Sequence, residues 1–370
     1  MTRVEPTSGE ARSGILLLTI GAAGALAAHF AGIPAGMVIG ALIASGIYRL
    51  SGGKIGEWRH KYGTVGRLLL GAFIGASFTP EAVKPLMQAI GPMCLLISTM
   101  LATGLVLGWT VSRIAGVSLA TGLLSSMPGG LPAMAAMAED LDADATVVAV
   151  IHLARLLTIL LIIPVLLPLL AQQPTAGAAL DIPATHVSIS RTALALAGAW
   201  LGGWIATRAG IPTGDLIGGM VAVAVANLAG ANLGPLHPVL RQLAQLLIGI
   251  AVGAQVTVES LKKLHRLALP AAAIIVSLVG FGLASGWVLH KATPLDLPTA
   301  LLSAVPGGAS TMPVIAQDLG GDATLVAALH LVRQIAIFIL LPPVLGMLLR
   351  RSLRDEFSGS ESKPSKAPPS

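Results

Sequence analysis

Two stretches of the chain carry the same chemically capable residues in the same order. One reads TGLLSSMPGGLPAMAAMAEDLDADATVVAVIHLARLL and the other TALLSAVPGGASTMPVIAQDLGGDATLVAALHLVRQI. Pro128-Gly129-Gly130, Asp144, His152 and Arg155 thus recur as Pro306-Gly307-Gly308, Asp322, His330 and Arg333, each 178 positions later. Between 118–164 and 296–342, 22 of 47 positions are identical without a gap, more than shared apolarity produces, so the halves are a duplication.

Histidine and arginine three residues apart share one helix face. An arginine inside an apolar helix is expensive and points at the bundle interior, a cavity or a carboxylate. Two readings follow for Arg155 and Arg333: they face an anion, or they pair with Asp140 or Asp144 and with Asp318 or Asp322. Asp144 and Arg155 lie 11 residues apart, about 16 Å along one helix axis, so any direct partner comes from another element. Asp144 and Asp322 precede Ala-Thr and a helical run, which suits N-capping. The alternative makes Asp140, Asp144, Asp318 and Asp322 the ion-coupling acids. A buried histidine beside a charge can shuttle a proton near neutral pH, or serve as a hydrogen-bonded packing residue.

Pro-Gly-Gly interrupts the apolar segment 118–140 at its centre. The predicted result is two arms of about ten residues, each about 15 Å long, half a bilayer. Non-helical backbone at that depth is tolerated where it is buried in protein or lines a wet cavity, and the amides at the start of a half-helix attract negative charge. Two such tips inserted from opposite sides would gather Ser125, Ser126, Pro128, Gly129 and Gly130 with Ser303, Pro306, Gly307, Gly308, Ser310 and Thr311. Together with His152, Arg155, His330 and Arg333 these are the expected substrate-binding residues. A glycine-rich packing kink is the alternative.

The elements that must position these groups are membrane helices. Of the 370 residues 54% are hydrophobic and 11% charged, with a mean hydropathy of +0.83, more apolar surface than one soluble core buries. Apolar runs occur at about 14–32, 33–50, 66–80, 89–112 and 145–170, and again at 192–209, 211–229, 244–258, 267–290 and 323–349. Those at 66–80 and 244–258 are short for a bilayer and must be tilted, thinned around or shielded. Gly21, Gly24, Gly36, Gly40, Gly71 and Gly75 suit close helix packing, and Trp109, Trp200, Trp204 and Trp287 suit interfacial anchoring. The expected organisation is a polar segment 1–13, a first membrane repeat 14–170, a linker 171–191, a second repeat 192–350 and a disordered cytoplasmic tail 351–370. No cleaved signal peptide is expected, since the first dozen residues are polar and include two acids.

The net charge of +6 follows membrane topology. The loop 49–67 carries Arg49, Lys54, Arg59, Lys61 and Arg67, while its counterpart 227–245 carries only Arg241; Lys262, Lys263 and Arg266 face a counterpart with only Lys84. Equivalent loops therefore lie on opposite sides by the positive-inside bias, the mark of inverted repeats, with parallel repeats the alternative. The basic balance needs no nucleic-acid partner. Cys94, the sole cysteine, excludes a disulfide framework or cysteine metal site.

The paired Pro-Gly-Gly segments, each followed by Asp-Ala-Thr and His-x-x-Arg, resemble the AbrB family of bacterial inner-membrane proteins over about 15–349. That family is named for regulation of aidB expression, some members carry the label "ammonia monooxygenase", and it is distinct from the soluble DNA-binding protein of the same name. The second copy departs from the first at Ala304 for Ser126 and Gln317 for Glu139. At fold level the chain also looks like glutamate/sodium-symporter and cation/proton-antiporter transporters. The expected fold is all-α and polytopic, each repeat having about five transmembrane helices plus a re-entrant or broken helix.

The expected function is secondary transport of a small anionic or zwitterionic metabolite, driven by H⁺ or Na⁺, with both termini cytoplasmic. The alternative is a membrane regulator acting on gene expression through a ligand or partner. Expected partners are the bilayer, a small-molecule ligand and the coupling ion, with no direct nucleic acid; a homodimer is compatible. No enzyme activity, cofactor or metal is expected, because an oxygenase metal site needs clustered His and carboxylate ligands, whereas here arginines stand three residues from each histidine.

Overall fold

In hydrocarbon every backbone group must be satisfied within its own segment or by neighbouring protein, which favours helices for a chain this apolar. The computed structural model describes residues 8–78, 80–171, 188–211, 213–233 and 236–361, and no strand occurs among them. The first few residues, most of the expected linker and the end of the expected tail lie outside the described residues. The first half comprises α1 (Ser8–Phe30), α2 (Gly36–Leu50), α3 (Trp58–Ala76), α4 (Pro80–Ala115), α5 (Leu119–Ser126), α6 (Leu131–Asp140) and α7 (Ala145–Ala171). The second comprises α8 (Ile189–Arg208), α9 (Gly214–Ala226), α10 (Pro238–Gly253), α11 (Val258–Arg266), α12 (Ala268–Ala292), α13 (Leu297–Ala304), α14 (Met312–Asp318) and α15 (Ala323–Glu361).

Both ends of α13 fall 178 residues after those of α5. The residues preceding α2 and α9, Ala35 and Thr213, share a left-handed backbone with φ of 54° and 51°. The main difference is that α4 is one helix whereas its counterpart is split into α11 and α12, with α11 bent 64° from α10. Among the described residues six helices are long and apolar enough to cross a membrane, within Arg12–Phe30, Met87–Ala115, Ala145–Leu170, Gly214–Ala231, Ala268–Ala292 and Ala323–Met347. The short spans expected at 66–80 and 244–258 belong to α3 and α10, which begin earlier with polar turns and are shielded by each other and by α2 and α9.

Helices group by position in the repeat, and each group draws on both halves. One bundle is α1–α3 with α8–α10; the other is α4–α7 with α11–α15. Glycines set the spacing of the first. Gly24 of α1 meets Gly40 of α2 and the equivalent Gly202 of α8 meets Gly218 of α9, so closely that a Cβ on any of them would run into the partner's carbonyl oxygen. Gly71 and Gly75 of α3 lie on Leu216 and Met220 of α9, and their counterparts Gly249 and Gly253 of α10 lie on Val38 and Leu42 of α2. The exchange is reciprocal: α3 of the first half rests on α9 of the second, and α10 of the second rests on α2 of the first.

Two polar contacts reinforce this bundle. Arg67 of α3 donates from Nε to both carboxylate oxygens of Asp215 on α9 at 2.9 and 2.8 Å, with a third contact of 2.6 Å. The Asn227 amide donates to the carbonyls of Ala76 and Phe78 at 3.1 and 2.8 Å, satisfying backbone acceptors around the end of α3. An apolar core containing Val38, Leu70 and Ile248 from the first bundle and Ile159, Leu301 and Met312 from the second joins the two.

The tryptophans lie outside that core. Trp109, Trp204 and Trp287 are exposed, with Arg113, Arg208 and Lys291 over their rings at 5.6, 4.6 and 5.8 Å.

Gly40→Val and Gly218→Val should each destabilise by about 1–3 kcal/mol, because the added carbons have no room. Gly280→Val, where nothing lies within 4 Å, should leave the melting temperature in detergent unchanged. Equal melting of all three variants would remove the packing role assigned to the glycine pairs.

Candidate functional site

Proline forces the residue before it out of the helical region. Met127 and Val305, preceding Pro128 and Pro306, accordingly take extended ψ values of 141° and 134° and end α5 and α13. Gly308 has φ of 97°, a conformation glycine adopts without a Cβ penalty. The chain then turns and resumes as α6 and α14, giving arms of 8 and 10 residues in one half and 8 and 7 in the other.

The feet of α7 and α15 set the register of the residues that reach these breaks. Asp144 Oδ1 accepts from the amides of Thr146 and Val147, both at 2.9 Å, and Asp322 Oδ1 from those of Thr324 and Leu325 at 2.8 and 3.1 Å. The amides of Asp144 and Asp322 donate in turn to Thr121 Oγ1 on α5 and Thr299 Oγ1 on α13, at 2.9 and 2.8 Å. Both aspartates are N-caps at exposed helix starts.

Three turns further along, the arginines meet the breaks. Arg155 donates to the carbonyls of Met127 and Gly129 at 2.9 and 3.1 Å, and Arg333 to those of Ala304 and Val305 at 3.2 and 3.3 Å. Each guanidinium therefore answers acceptors freed where a helix stops, at the negative end of its dipole. The aspartate pairing that the sequence left open does not occur: the acceptors that hold the two arginines are backbone carbonyls. His152 is placed with Nδ1 2.9 Å from the Val148 carbonyl and Nε2 3.2 Å from that of Met127; His330 has Nδ1 3.0 Å from the Val326 carbonyl.

Both breaks open on one cavity of about 80 Å³. Its walls bring together Pro128, Gly129, Gly130, His152 and Arg155 with Pro306, Gly307, Gly308, His330 and Arg333, ten of the residues singled out from sequence. Arg155 and Arg333 are each only 4% exposed. Among the described residues no aspartate or glutamate lines the cavity.

The expected hydroxyl groups are not on its walls. Ser126 donates to the Gly104 carbonyl at 2.6 Å, Ser303 to that of Thr299 at 2.7 Å, and Thr311 to those of Gly307 and Gly308. Ser125 is buried, with an Oγ that has no hydrogen-bond partner, and Ser310 is half-buried. Asp140 is exposed at the end of α6. Asp318 is held by Arg241 at 3.4 Å and by the Gln245 amide at 3.3 Å, both on α10.

Sequence reasoning missed Gln334, which lines the cavity and donates to Thr213 Oγ1 of the other bundle at 3.5 Å. The signal was a departure from the repeat, since Leu156 occupies the equivalent place. It also treated Arg67 and Arg241 as loop charges, whereas both lie within helices and pair with aspartates.

By the length and apolarity of its helices the chain is a multi-pass membrane protein, folded around two broken helices that share a cavity. It belongs to the AbrB family: the family model described as "Transition state regulatory protein AbrB" matches residues 39–349. It is 25% identical over 359 residues to "Uncharacterized protein YhjN" of Bacillus subtilis (strain 168), covering 90% of this chain and 92% of that one. It is 28% identical over 342 residues to "Putative regulator AbrB" of Escherichia coli (strain K12), covering 89% and 92%.

Asp144→Asn and Asp322→Asn should melt near the wild type, since asparagine caps as well as aspartate, while the alanine variants should each lose about 1 kcal/mol. Arg155→Gln should cost about 1–3 kcal/mol by leaving a buried carbonyl without its donor. If Asp144→Ala proved as damaging as Arg155→Gln, the arginine would depend on that carboxylate after all.

Proposed function

We propose that this protein is a secondary transporter of a small anionic or zwitterionic metabolite in the bacterial inner membrane, coupled to H⁺ or Na⁺. The observation that carries this reading is the cavity holding two buried arginines and no carboxylate. Buried cationic groups without an acidic partner mark a path or site for an anion. The duplicated halves, read with their opposite loop charges, make an inverted repeat whose broken helices are re-entrant and whose cargo site lies at the repeat interface. On the same reading both termini are cytoplasmic, and no catalytic step is assigned to the site.

An unequal grip on the two re-entrant units supports alternating access. Asp318 at the end of α14 is clamped to α10 by Arg241 and Gln245. The equivalent Asp140 is exposed, and the positions matching Arg241 and Gln245 are Gly63 and Arg67, the latter engaged with Asp215. A carrier caught at one end of its cycle has such an imbalance, and the reverse end state exchanges it between the halves. Asp140 and Asp318 are then the acids whose hydration alternates, which makes them the coupling candidates in place of the capping Asp144 and Asp322.

A membrane sensor that regulates gene expression is the second reading, favoured by the name of the Escherichia coli relative, "Putative regulator AbrB". Access to the cavity separates the two. With Cys94→Ala as background, Ala309→Cys on the cavity wall should react with an impermeant thiol reagent both in intact cells and in inverted vesicles if the protein alternates. Reaction from one face alone would favour the sensor. Cysteines at Lys54 and Lys263 should react only from the cytoplasmic side, and labelling of either from outside would overturn the inverted orientation.

A further inference from the structure

We infer that the cavity takes a compact oxyanion of about three to five non-hydrogen atoms, a short carboxylate or a tetrahedral inorganic oxyanion, and that it excludes zwitterionic amino acids. The inference rests on reading the cavity as the cargo site and narrows its cargo by size and charge.

Size comes from the volume. About 80 Å³ corresponds to roughly three water molecules at about 30 Å³ each. Behind the glycine turns stand side chains rather than further space, Met134 behind Gly129 and Met312 with Ile159 behind Gly307. A di- or tricarboxylate with a carbon chain between its acid groups has no room.

Charge comes from the lining. Two guanidinium groups face the space, and the C-terminal ends of α5 and α13 each contribute about half a negative charge. About one positive charge is therefore left for a ligand to neutralise. An ammonium group would enter beside two cations with no carboxylate on the walls to receive it. The nearest backbone acceptors, the carbonyls of Met127, Gly129, Ala304 and Val305, already take hydrogen bonds from the arginines. An oxyanion instead finds planar forks with donors to spare: Arg155 Nε is buried without a partner, and a guanidinium carries five N–H groups in all.

Glycolate and glycine test this directly, because they are nearly the same size and differ in the group that replaces hydroxyl by ammonium. The full-length protein in detergent is melted with sodium glycolate, glycine, sodium phosphate or sodium citrate, at constant ionic strength set with sodium gluconate. Glycolate or phosphate should raise the melting temperature saturably by about 2 °C or more, the first marking a planar carboxylate site and the second a tetrahedral one. Glycine and citrate should not. Arg155→Lys and Arg333→Lys should lose the rise while Gly280→Val keeps it. Should the lysine variants fail to fold, the Ala309→Cys protein in the Cys94→Ala background gives an independent reading, since the effective oxyanion should slow its labelling and glycine should not. Stabilisation by glycine equal to that by glycolate, or by citrate alone, overturns the compact-oxyanion inference and leaves the cavity as a ligand site. No rise and no protection with any of the four removes the cargo-site reading itself.

Discussion

A helix that stops inside an apolar protein leaves carbonyl groups with nothing to accept from, and the structure depends on how those groups are satisfied. Arg155 and Arg333 do so, each from the helix that follows its own break. Their reach is set by the capping aspartates and by the threonines that tie α5 to α7 and α13 to α15. Proline before two glycines opens the backbone; the arginines make the opening tolerable. The motif therefore spans 28 residues, from Pro128 to Arg155 and from Pro306 to Arg333, because both ends of it act on one point in space.

The halves do not pack as separate bodies. Reciprocal glycine contacts between α3 and α9 and between α10 and α2 bind each half to the other, while the broken helices and their arginines assemble in the second bundle. Such an arrangement gives one group built on close backbone contacts and another that carries the cavity, joined by an apolar core and a few polar ties such as Asp318 to Arg241 and Gln334 to Thr213. Apolar contact between groups is non-directional, so the directional ties are what can distinguish one relative position from another.

Much of this was legible in the sequence because duplication repeats each signal. Pro-Gly-Gly placed the breaks, since the restriction on the residue before proline is local; Asp-Ala-Thr placed the caps, since an N-cap bonds only to amides two or three residues on. The shared cavity followed from finding the same elements twice. Arginine partners were not legible, because carbonyls belong to every residue and carry no side-chain signature. Nor were the roles of Arg67, Asp215, Arg241 and Gln245, whose contacts join segments far apart in the chain with no counterpart in the other half. The serines misled for a related reason: in an apolar helix a hydroxyl is satisfied by a nearby carbonyl of the preceding turn, as Ser303 shows with Thr299, so position near a break does not turn it toward the cavity.

Holding the break does not use every donor that the guanidinium has. A guanidinium has five N–H groups in a fixed plane, and two carbonyl bonds occupy one part of that fork in Arg155 while Nε stays free of partners. A lysine ammonium, with three donors on one atom, would have to surrender the carbonyls to turn toward a ligand. In the first half the histidine three residues before the arginine acts at the same point: His152 and Arg155 approach the single Met127 carbonyl from one helix face, whereas His330 is held by the Val326 carbonyl of its own helix.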